Sequence, residues 1–275
     1  MLPLVSVIIT TKNEAKVIER LLVSLRSQSY KNIEIILIDN DSTDSTTKIA
    51  KKFTNKVYNF GPERSAQRNF GVKKAQGIHL LFLDADMELS DKVIEECISS
   101  INSSTRFAGV IIPEKSVAKT FWEEVKAFER SFYNEKGDEI TDAARFFRKS
   151  IFKKAGGYDE TITGPEDWDL PETIKKLGYA FGRISAVIYH HERINSPFDL
   201  AKKKYFYALR AHRYLKKHHI SIFSPKTIYF LRPIFYKNFD RIISHPILSL
   251  GMFIMLFFQI LGGGLGYLVG RIKNL

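Results

Sequence analysis

Three apolar runs near the start of the chain each end in a polar cluster. "VSVIITT" leads into Thr10–Glu14, "IEIILID" into Asp39–Asp44, and "HLLFLDADM" into Asp84 and Asp86. Strands that are apolar at consecutive positions, rather than at alternate ones, are covered on both faces of their sheet. Segments of helical spacing separate them. In "AKVIERLLVSLRSQ", Ile18, Leu21, Leu22 and Leu25 share one face; "STDSTTKIAKKF" opens with capping residues; "RSAQRNFGVKKAQG" is closed by Gly77. A short strand, "KVYNF", precedes that third segment, and a further helix, "DKVIEECISSI", follows the third run. Strands alternating with helices of this length imply parallel pairing through right-handed crossovers. The fold class is therefore α/β, a doubly wound sheet whose ligand site lies beyond the carboxyl ends of its strands. All three polar clusters fall on that edge.

Beyond Phe107 the pattern is mixed. "FAGVIIPE" reads as a strand, "VAKTFWEEVKAFERSFYNE" as a long amphipathic helix, and "AARFFRKSIFKKAGGYDE" as strand, short helix and turn. "GPEDWDLPETIKKLG" reads as a loop entering a helix that Gly178 ends, and "AFGRISAVIYHH" as a final strand. The N-terminus has no basic region ahead of its short β-branched run and reads as a buried strand rather than a signal peptide. A single cysteine, Cys97, excludes an internal disulfide framework and a CxxC metal site, and fits a reducing compartment.

The carboxylates at the strand ends suggest specific chemistry. On an extended segment residues i and i+2 point the same way, so Asp84 and Asp86 can face one ligand. Like charges that close raise each other's cost of ionisation, so a cation is expected beside them. Hard carboxylate oxygens suit Mg²⁺ or Mn²⁺, which keep coordination positions open for substrate phosphates. Asp39 sits where a carboxylate can accept hydrogen bonds from a base or ribose. Arg64 and Arg68, one helical turn apart at a helix start, suit a diphosphate.

The ordered set "VSVIITTKNE", "ILIDNDSTDST", "RSAQRNFGVKKAQG", "LLFLDADM", "RFFRKSIFKKAGGYDE", "GPEDWDL" and "IYHH" resembles the family 2 glycosyltransferases, from about Val5 to His191. The resemblance implies the GT-A fold, a Rossmann-like doubly wound mixed sheet, and an inverting transfer from a nucleotide-diphosphate sugar. It implies donor contacts from Thr10, Asn13, Glu14, Asp39, Asp41, Asp44, Arg64, Arg68, Asn69 and Asp84. It implies a metal held by Asp86 with Asp84, and by a histidine for which His190 fits better than His191. In "GPEDWDL" it implies Asp167 as catalytic base, with Glu166 the neighbouring candidate. Inverting displacement needs one carboxylate to take the acceptor hydroxyl's proton and a cation to stabilise the departing diphosphate. Polyprenyl- or dolichyl-phosphate glycosyltransferases share the donor half, and the Glu-Asp motif favours a hydroxyl acceptor over theirs.

The C-terminal region is of another kind. Between Phe198 and Arg241 there are eleven Lys and Arg against two Asp, interleaved with aromatics from Tyr205 to Phe239. Basic residues with aromatics make a headgroup-binding segment. Ile247 to Val269 then runs 23 residues without a charge, long enough to cross a bilayer as one helix. The chain's formal charge of +12 agrees with an anionic membrane partner; no nucleic-acid-binding signature accompanies it, and no nucleic acid is expected. The expected organisation is a GT-A domain over 1–195 (donor half 1–100, acceptor half 101–195), a basic juxtamembrane segment over 196–245 and a transmembrane helix over 246–270. The catalytic domain is expected on the cytoplasmic face of the cell membrane, acting on a lipid-linked or membrane-associated saccharide. A non-catalytic membrane adaptor binding nucleotide sugar or RNA is the reading of another class.

Overall fold

The computed structural model describes residues 2–134 and 137–274. The chain packs as two compact units. The first comprises Met1–Glu114, Ala143–Glu160 and Asp167–His190; the second comprises Lys115–Asp142, Thr161–Glu166 and His191–Leu275.

The first unit begins β1 (Val5–Thr11), α1 (Ile18–Ser27), β2 (Ile33–Asp39), α2 (Thr46–Ala50), β3 (Val57–Asn59), α3 (Arg64–Lys74) and β4 (His79–Asp84). It continues with β5 (Met87–Leu89), α4 (Val93–Asn102) and β6 (Phe107–Ile111). The chain then passes through β7 (Glu114–Val117) and α5 (Phe121–Ser131) and returns as β8 (Ala144–Arg148), α6 (Lys149–Lys154), α7 (Glu166–Lys176), β9 (Ala180–Arg183) and β10 (Ile188–His191). Seven strands form a mixed sheet in the order β3-β2-β1-β4-β8-β6-β9. The four strands from the first part of the chain are parallel, as their helical crossovers require, and β8 enters antiparallel to both β4 and β6.

Alternate residues of each central strand feed two cores. Val5, Val7 and Ile9 pack with Leu21, Leu22, Leu25 and Ile94 on one face. Ile8, Ile36 and Phe82 pack with Val72, Phe152 and Leu170 on the other. Both faces of the central strands are covered, which explains why their middle positions are apolar consecutively. The predicted buried face of α1, Ile18, Leu21, Leu22 and Leu25, is the buried face observed.

Register fixes the functional edge. Thr11 pairs with Asp39, Asp39 with Asn59, and Thr10 with Asp84. Three elements differ from expectation. The final strand is two, β9 and β10, with residues 184–187 between them. β4 ends at Asp84 and Ala85–Asp86 is a turn, so the i, i+2 alternation expected to aim Asp84 and Asp86 together does not apply. The "PEDW" segment is not a loop: Glu166 and Asp167 form the first turn of α7.

The second unit is built on α5 together with α8 (Pro197–Ala208), α9 (Ala211–Lys217), a 3₁₀ turn (Tyr229–Leu231), α10 (Pro233–Lys237), α11 (Phe239–Ser244) and α12 (Pro246–Ile272). Its core joins Val125, Phe128 and Phe132 to Phe235, Met252, Met255 and Leu256. Inside it Glu129, fully buried, accepts from Lys126 Nζ and, at 2.8 Å, from Tyr133 Oη. The Arg232 guanidinium lies 3.8 Å from the Tyr229 ring centroid, and Lys204 Nζ donates to Tyr229 Oη at 2.6 Å. Charged groups this deep are retained only when paired. The network fixes residues 229–232 and α8 to this unit.

Candidate active site

The edge of the first unit is assembled in two parts. The first part ties the loop after β1 to the loop after β2. Asn13, in the left-handed region at φ 55°, accepts the Thr43 amide on Oδ1 at 2.8 Å, and its own amide donates to Ser42 Oγ at 2.7 Å. The Glu14 amide donates to Thr46 Oγ1 at 2.8 Å. Asp39 is buried and accepts on Oδ1 from Thr11 Oγ1 at 2.7 Å and from Ser42 Oγ at 2.6 Å; its Oδ2 accepts the Ser42 amide at 2.8 Å. Asp41, at φ 50°, accepts from Asn59 Nδ2 at 2.5 Å. Asp44 accepts from Thr46 Oγ1 at 2.5 Å, from the Thr46 amide at 3.0 Å and from the Ala15 amide at 3.1 Å. The Thr46 hydroxyl bond is the largest influence on the Asp44 carboxyl and holds it below its ordinary value. Asp44 thus braces the two loops, and Asp39 shapes the turn that follows it.

The second part is a string of acidic and basic side chains. Arg68, with no exposed surface, donates from Nη1 to Asp167 Oδ1 at 2.5 Å and from Nη2 to Asp84 Oδ1 at 3.1 Å. Its guanidinium also lies 5.0 Å from the Tyr158 ring centroid. Asp84 Oδ2 lies 3.5 Å from Arg145 Nη1, and Arg64 Nη1 is 4.0 Å from Asp84 Oδ1. Arg145 Nε donates to Glu114 Oε1 at 2.7 Å. Glu114 Oε2 is 3.6 Å from His190 Nδ1, and His190 Nε2 is 3.7 Å from Asp86 Oδ2. One path of acidic and basic side chains therefore runs Asp167–Arg68–Asp84–Arg145–Glu114–His190–Asp86.

Burial alone would push the Asp84 carboxyl up; Arg68, then Arg145 and Arg64, overcome it and hold the group well below the usual carboxylate range. Asp167 shows the same balance, with burial opposed first by Arg68 and then by Arg145, and is also held down. Both are ionised at neutral pH.

The two aspartates of "LDADM" therefore have different surroundings. Asp84 faces arginines, which supply the cation its position demanded. Asp86 faces an imidazole. His190, between Asp86 and Glu114, is the histidine brought to this edge; His191 belongs to the second unit. Asn69, expected beside the donor, ties α3 to the "GGYDE" turn. It donates to the Tyr158 carbonyl at 2.8 Å and to Glu160 Oε1 at 2.9 Å, and accepts the Tyr158 amide at 3.0 Å. Gly157 is needed there: its φ is 76°, and a Cβ would lie 2.8 Å from Asn69 Oδ1. Glu166 is buried and belongs to the second unit, whereas Asp167 belongs to the first.

Arg145 and Glu114 were not singled out from the sequence. A charged residue inside the apolar strand "ARFFR" was the available signal for Arg145; Glu114 gave none, because its role depends on β6 ending beside β8.

Among the described residues no group of three or more His, Cys, Asp and Glu stands ready to enclose a metal ion. Asp86 and His190 nevertheless fit one. A carboxylate oxygen and an imidazole nitrogen 3.7 Å apart are donors a Mn²⁺ or Mg²⁺ ion accepts when phosphate oxygens and water complete its shell.

A seven-stranded mixed α/β sheet of this order with an acidic turn after β4 defines a GT-A-like protein. The model of the glycosyl transferase family 2 matches residues 6–156, more than half of the chain, and the chain belongs to that family. An uncharacterized glycosyltransferase of Rickettsia typhi is 30% identical over 69% of this chain, which spans 62% of that relative's length. Glycosyltransferase AglE of Haloferax volcanii is 29% identical over 74% of this chain and 71% of its own. A GalNAc(5)-diNAcBac-PP-undecaprenol beta-1,3-glucosyltransferase of Campylobacter jejuni is 31% identical over 37% of this chain and 35% of its own. Among solved structures, Staphylococcus aureus TarS in complex with UDP superposes with a TM-score of 0.55 at 19% identity, covering 98% of this chain and 92% of that one. The mannosyltransferase PcManGT of Pyrobaculum calidifontis, in complex with GDP-Man and Mn²⁺, gives 0.62 at 15% identity, covering 99% and 87%. These two likenesses establish the fold.

Proposed function

We propose that the chain is a metal-dependent, inverting glycosyltransferase that moves a sugar from a nucleotide diphosphate to a hydroxyl of a lipid-linked or membrane-associated saccharide. The observation that carries the reading is the path of acidic and basic side chains from Asp167 to Asp86 along the strand edge. It combines two carboxylates held by one buried arginine, a second arginine and an Asp–His pair, the parts that phosphate departure and proton removal require.

The loops after β1 and β2, braced by Asn13, Asp39, Asp41 and Asp44, receive the nucleoside. Thr10 and Glu14 belong to the same rim. Arg64 and Arg145 face the diphosphate. Asp86 and His190 would hold Mg²⁺ or Mn²⁺, which when bound offsets the charge developing on the departing diphosphate. Asp167 is the base. Arg68 holds Oδ1 and keeps the group ionised, so Oδ2 is the atom that takes the acceptor hydroxyl's proton. A donor with Mn²⁺ in the PcManGT structure and an undecaprenol-linked acceptor in the Campylobacter enzyme's name support the metal and the acceptor class. The helix Pro246–Ile272, which contains an 18-residue stretch of mean hydropathy 1.9, is long and apolar enough to cross a membrane and supports membrane attachment; the catalytic unit then faces the cytoplasm, where sugar nucleotides are.

The test is a screen of UDP-, GDP- and dTDP-sugars with detergent-solubilised protein, following nucleotide release with and without Mn²⁺ or Mg²⁺. Metal-dependent release from one donor is expected. No turnover and no binding of any nucleotide sugar would overturn the reading in favour of a non-catalytic adaptor.

A further inference from the structure

We infer that α12 is an in-plane helix: it lies in one leaflet of an anionic membrane as the spine of an interfacial platform, with both of its ends in the same headgroup layer. The inference rests on the membrane attachment proposed above and replaces a crossing with a one-sided insertion.

The first observation is that α12 has two unlike faces. Met252, Met255, Leu256, Gly262, Gly266 and Gly270 are buried in the second unit. Ile247, Leu250, Ile254, Phe257, Leu261, Leu265, Leu268 and Ile272 are exposed. Their intervals of three and four residues make them one stripe along the whole helix, about 40 Å long at 1.5 Å per residue. Phe198 and Phe206 on α8, with Phe223, Tyr236, Phe239 and Ile243, add exposed apolar area in the same unit.

The second observation is what covers the other face. Gly262, Gly266 and Gly270 lie directly on the backbone of α8. A Cβ at these positions would meet the carbonyl oxygens of Ala201, Tyr205 and Leu209 at about 2 Å or less. The matched order of these contacts makes α8 run parallel to the C-terminal half of α12. Lys202, Lys203 and Lys204 are therefore level with residues 262–266, and α9 continues against α12 beyond them. If α12 stood on end with Pro246 at one interface, those lysines would sit about 25 Å along its axis, inside a hydrocarbon core about 30 Å thick.

The third observation is charge at both ends. Lys237 and Arg241 precede α12, with Arg241 fixed 4.6 Å over the Phe132 ring. Arg210, Arg213, Lys216 and Lys217 lie beyond the far end of α8, and Arg271 and Lys273 end α12 itself. Arg213 Nη1 donates to the Thr161 carbonyl at 3.3 Å, which ties this second group to the same folded unit. A crossing would carry one cationic group to each side of the bilayer. Lying flat, α12 puts both groups among anionic headgroups and its stripe among the acyl chains.

The test uses the full chain in sealed vesicles containing anionic phospholipid, in a Cys97→Ser background. His245→Cys and Lys273→Cys flank α12 and are probed with a membrane-impermeant maleimide added to one side. Labelling of both from the same side is expected; labelling from opposite sides overturns the proposal. As a second measurement, nitroxide labels at Leu250, Phe257, Leu265 and Ile272 report depth. Equal shallow depths are expected, and a profile deepest at Phe257 and shallow at both ends overturns the proposal. Donor turnover measured on the same vesicles is independent of either result, so a crossing helix with metal-dependent turnover would remove this inference and leave the transferase reading standing.

Discussion

Arg68 is the residue on which the site's electrostatics turn, and its replacement has a calculable cost. Arg68→Met keeps side-chain length and removes the charge. Asp167 then loses its 2.5 Å partner, while Asp84 keeps Arg145 at 3.5 Å. Removing one partner of a buried pair costs about 3–5 kcal/mol; because the Asp167 side chain is 27% exposed and Asp84 retains a partner, the lower end, about 3 kcal/mol, is expected here. For a chain of this size that lowers Tm by roughly 6–12 °C. Arg68→Met/Asp167→Asn leaves no uncompensated charge at Asp167 and should regain about 1–3 kcal/mol of the loss. The pH dependence has a definite sign. Both aspartates have folded values below the ordinary one, so the stability they contribute is complete above the unfolded value of about 4 and is lost as pH falls through the folded values. The gap between wild type and Arg68→Met should be full at pH 7 and close in acid. Thermal unfolding in mild detergent across pH reads all three quantities. A loss of less than about 1 kcal/mol, or an equal loss in the single and double variants, would refute the pairing argument.

Three further outcomes follow from particular contacts. His79 is buried against Phe146, and burial first and Arg148 second lower it to about 4. The unfolded chain therefore binds a proton that the folded chain refuses, and about 3 kcal/mol of stability should be lost as pH falls from 6.5 to 4. His79→Leu should flatten that part of the stability profile, and an unchanged profile would contradict the assignment. Glu114→Gln should weaken Mn²⁺ binding by roughly 10- to 100-fold through the loss of the carboxylate behind His190, read by electron paramagnetic resonance with a nucleoside diphosphate present; an unchanged affinity would remove Glu114 from the site. Gly264 meets nothing within 4 Å of an added Cβ, whereas at Gly266 the Tyr205 carbonyl is 2.1 Å away. Gly264→Ala should stabilise by about 0.5–1 kcal/mol and Gly266→Ala should destabilise by about 1–3 kcal/mol in thermal unfolding; equal effects would mean the α8–α12 contact is not close.

The first part of the sheet was legible because its signals are local. Consecutive apolar positions in β1, β2 and β4, the face of α1 and the polar residue after each strand all belong to single segments, and the parallel register then brings Thr11, Asp39 and Asp84 to one edge. Features that depend on tertiary approach were not. Ala85–Asp86 turns away from the strand because β5 begins at Met87, and no period in "LDADM" announces it. Asn69 holds a turn near residue 158, a long way along the chain, and nothing local to "RN" announces that contact. Arg145 and Glu114 meet only through the antiparallel insertion of β8. In the C-terminal region composition revealed an apolar helix and a basic flank, but not that glycines set one against the other.

Inverting, metal-dependent sugar transfer at the Asp86 edge is decided by proton NMR of the product formed from an α-linked nucleotide sugar and a saccharide acceptor, in wild type and in Asp86→Ala. A β-linked first product that requires Mn²⁺ or Mg²⁺ and is absent from Asp86→Ala is the expected result. An α-linked first product, or undiminished transfer by Asp86→Ala, would contradict it.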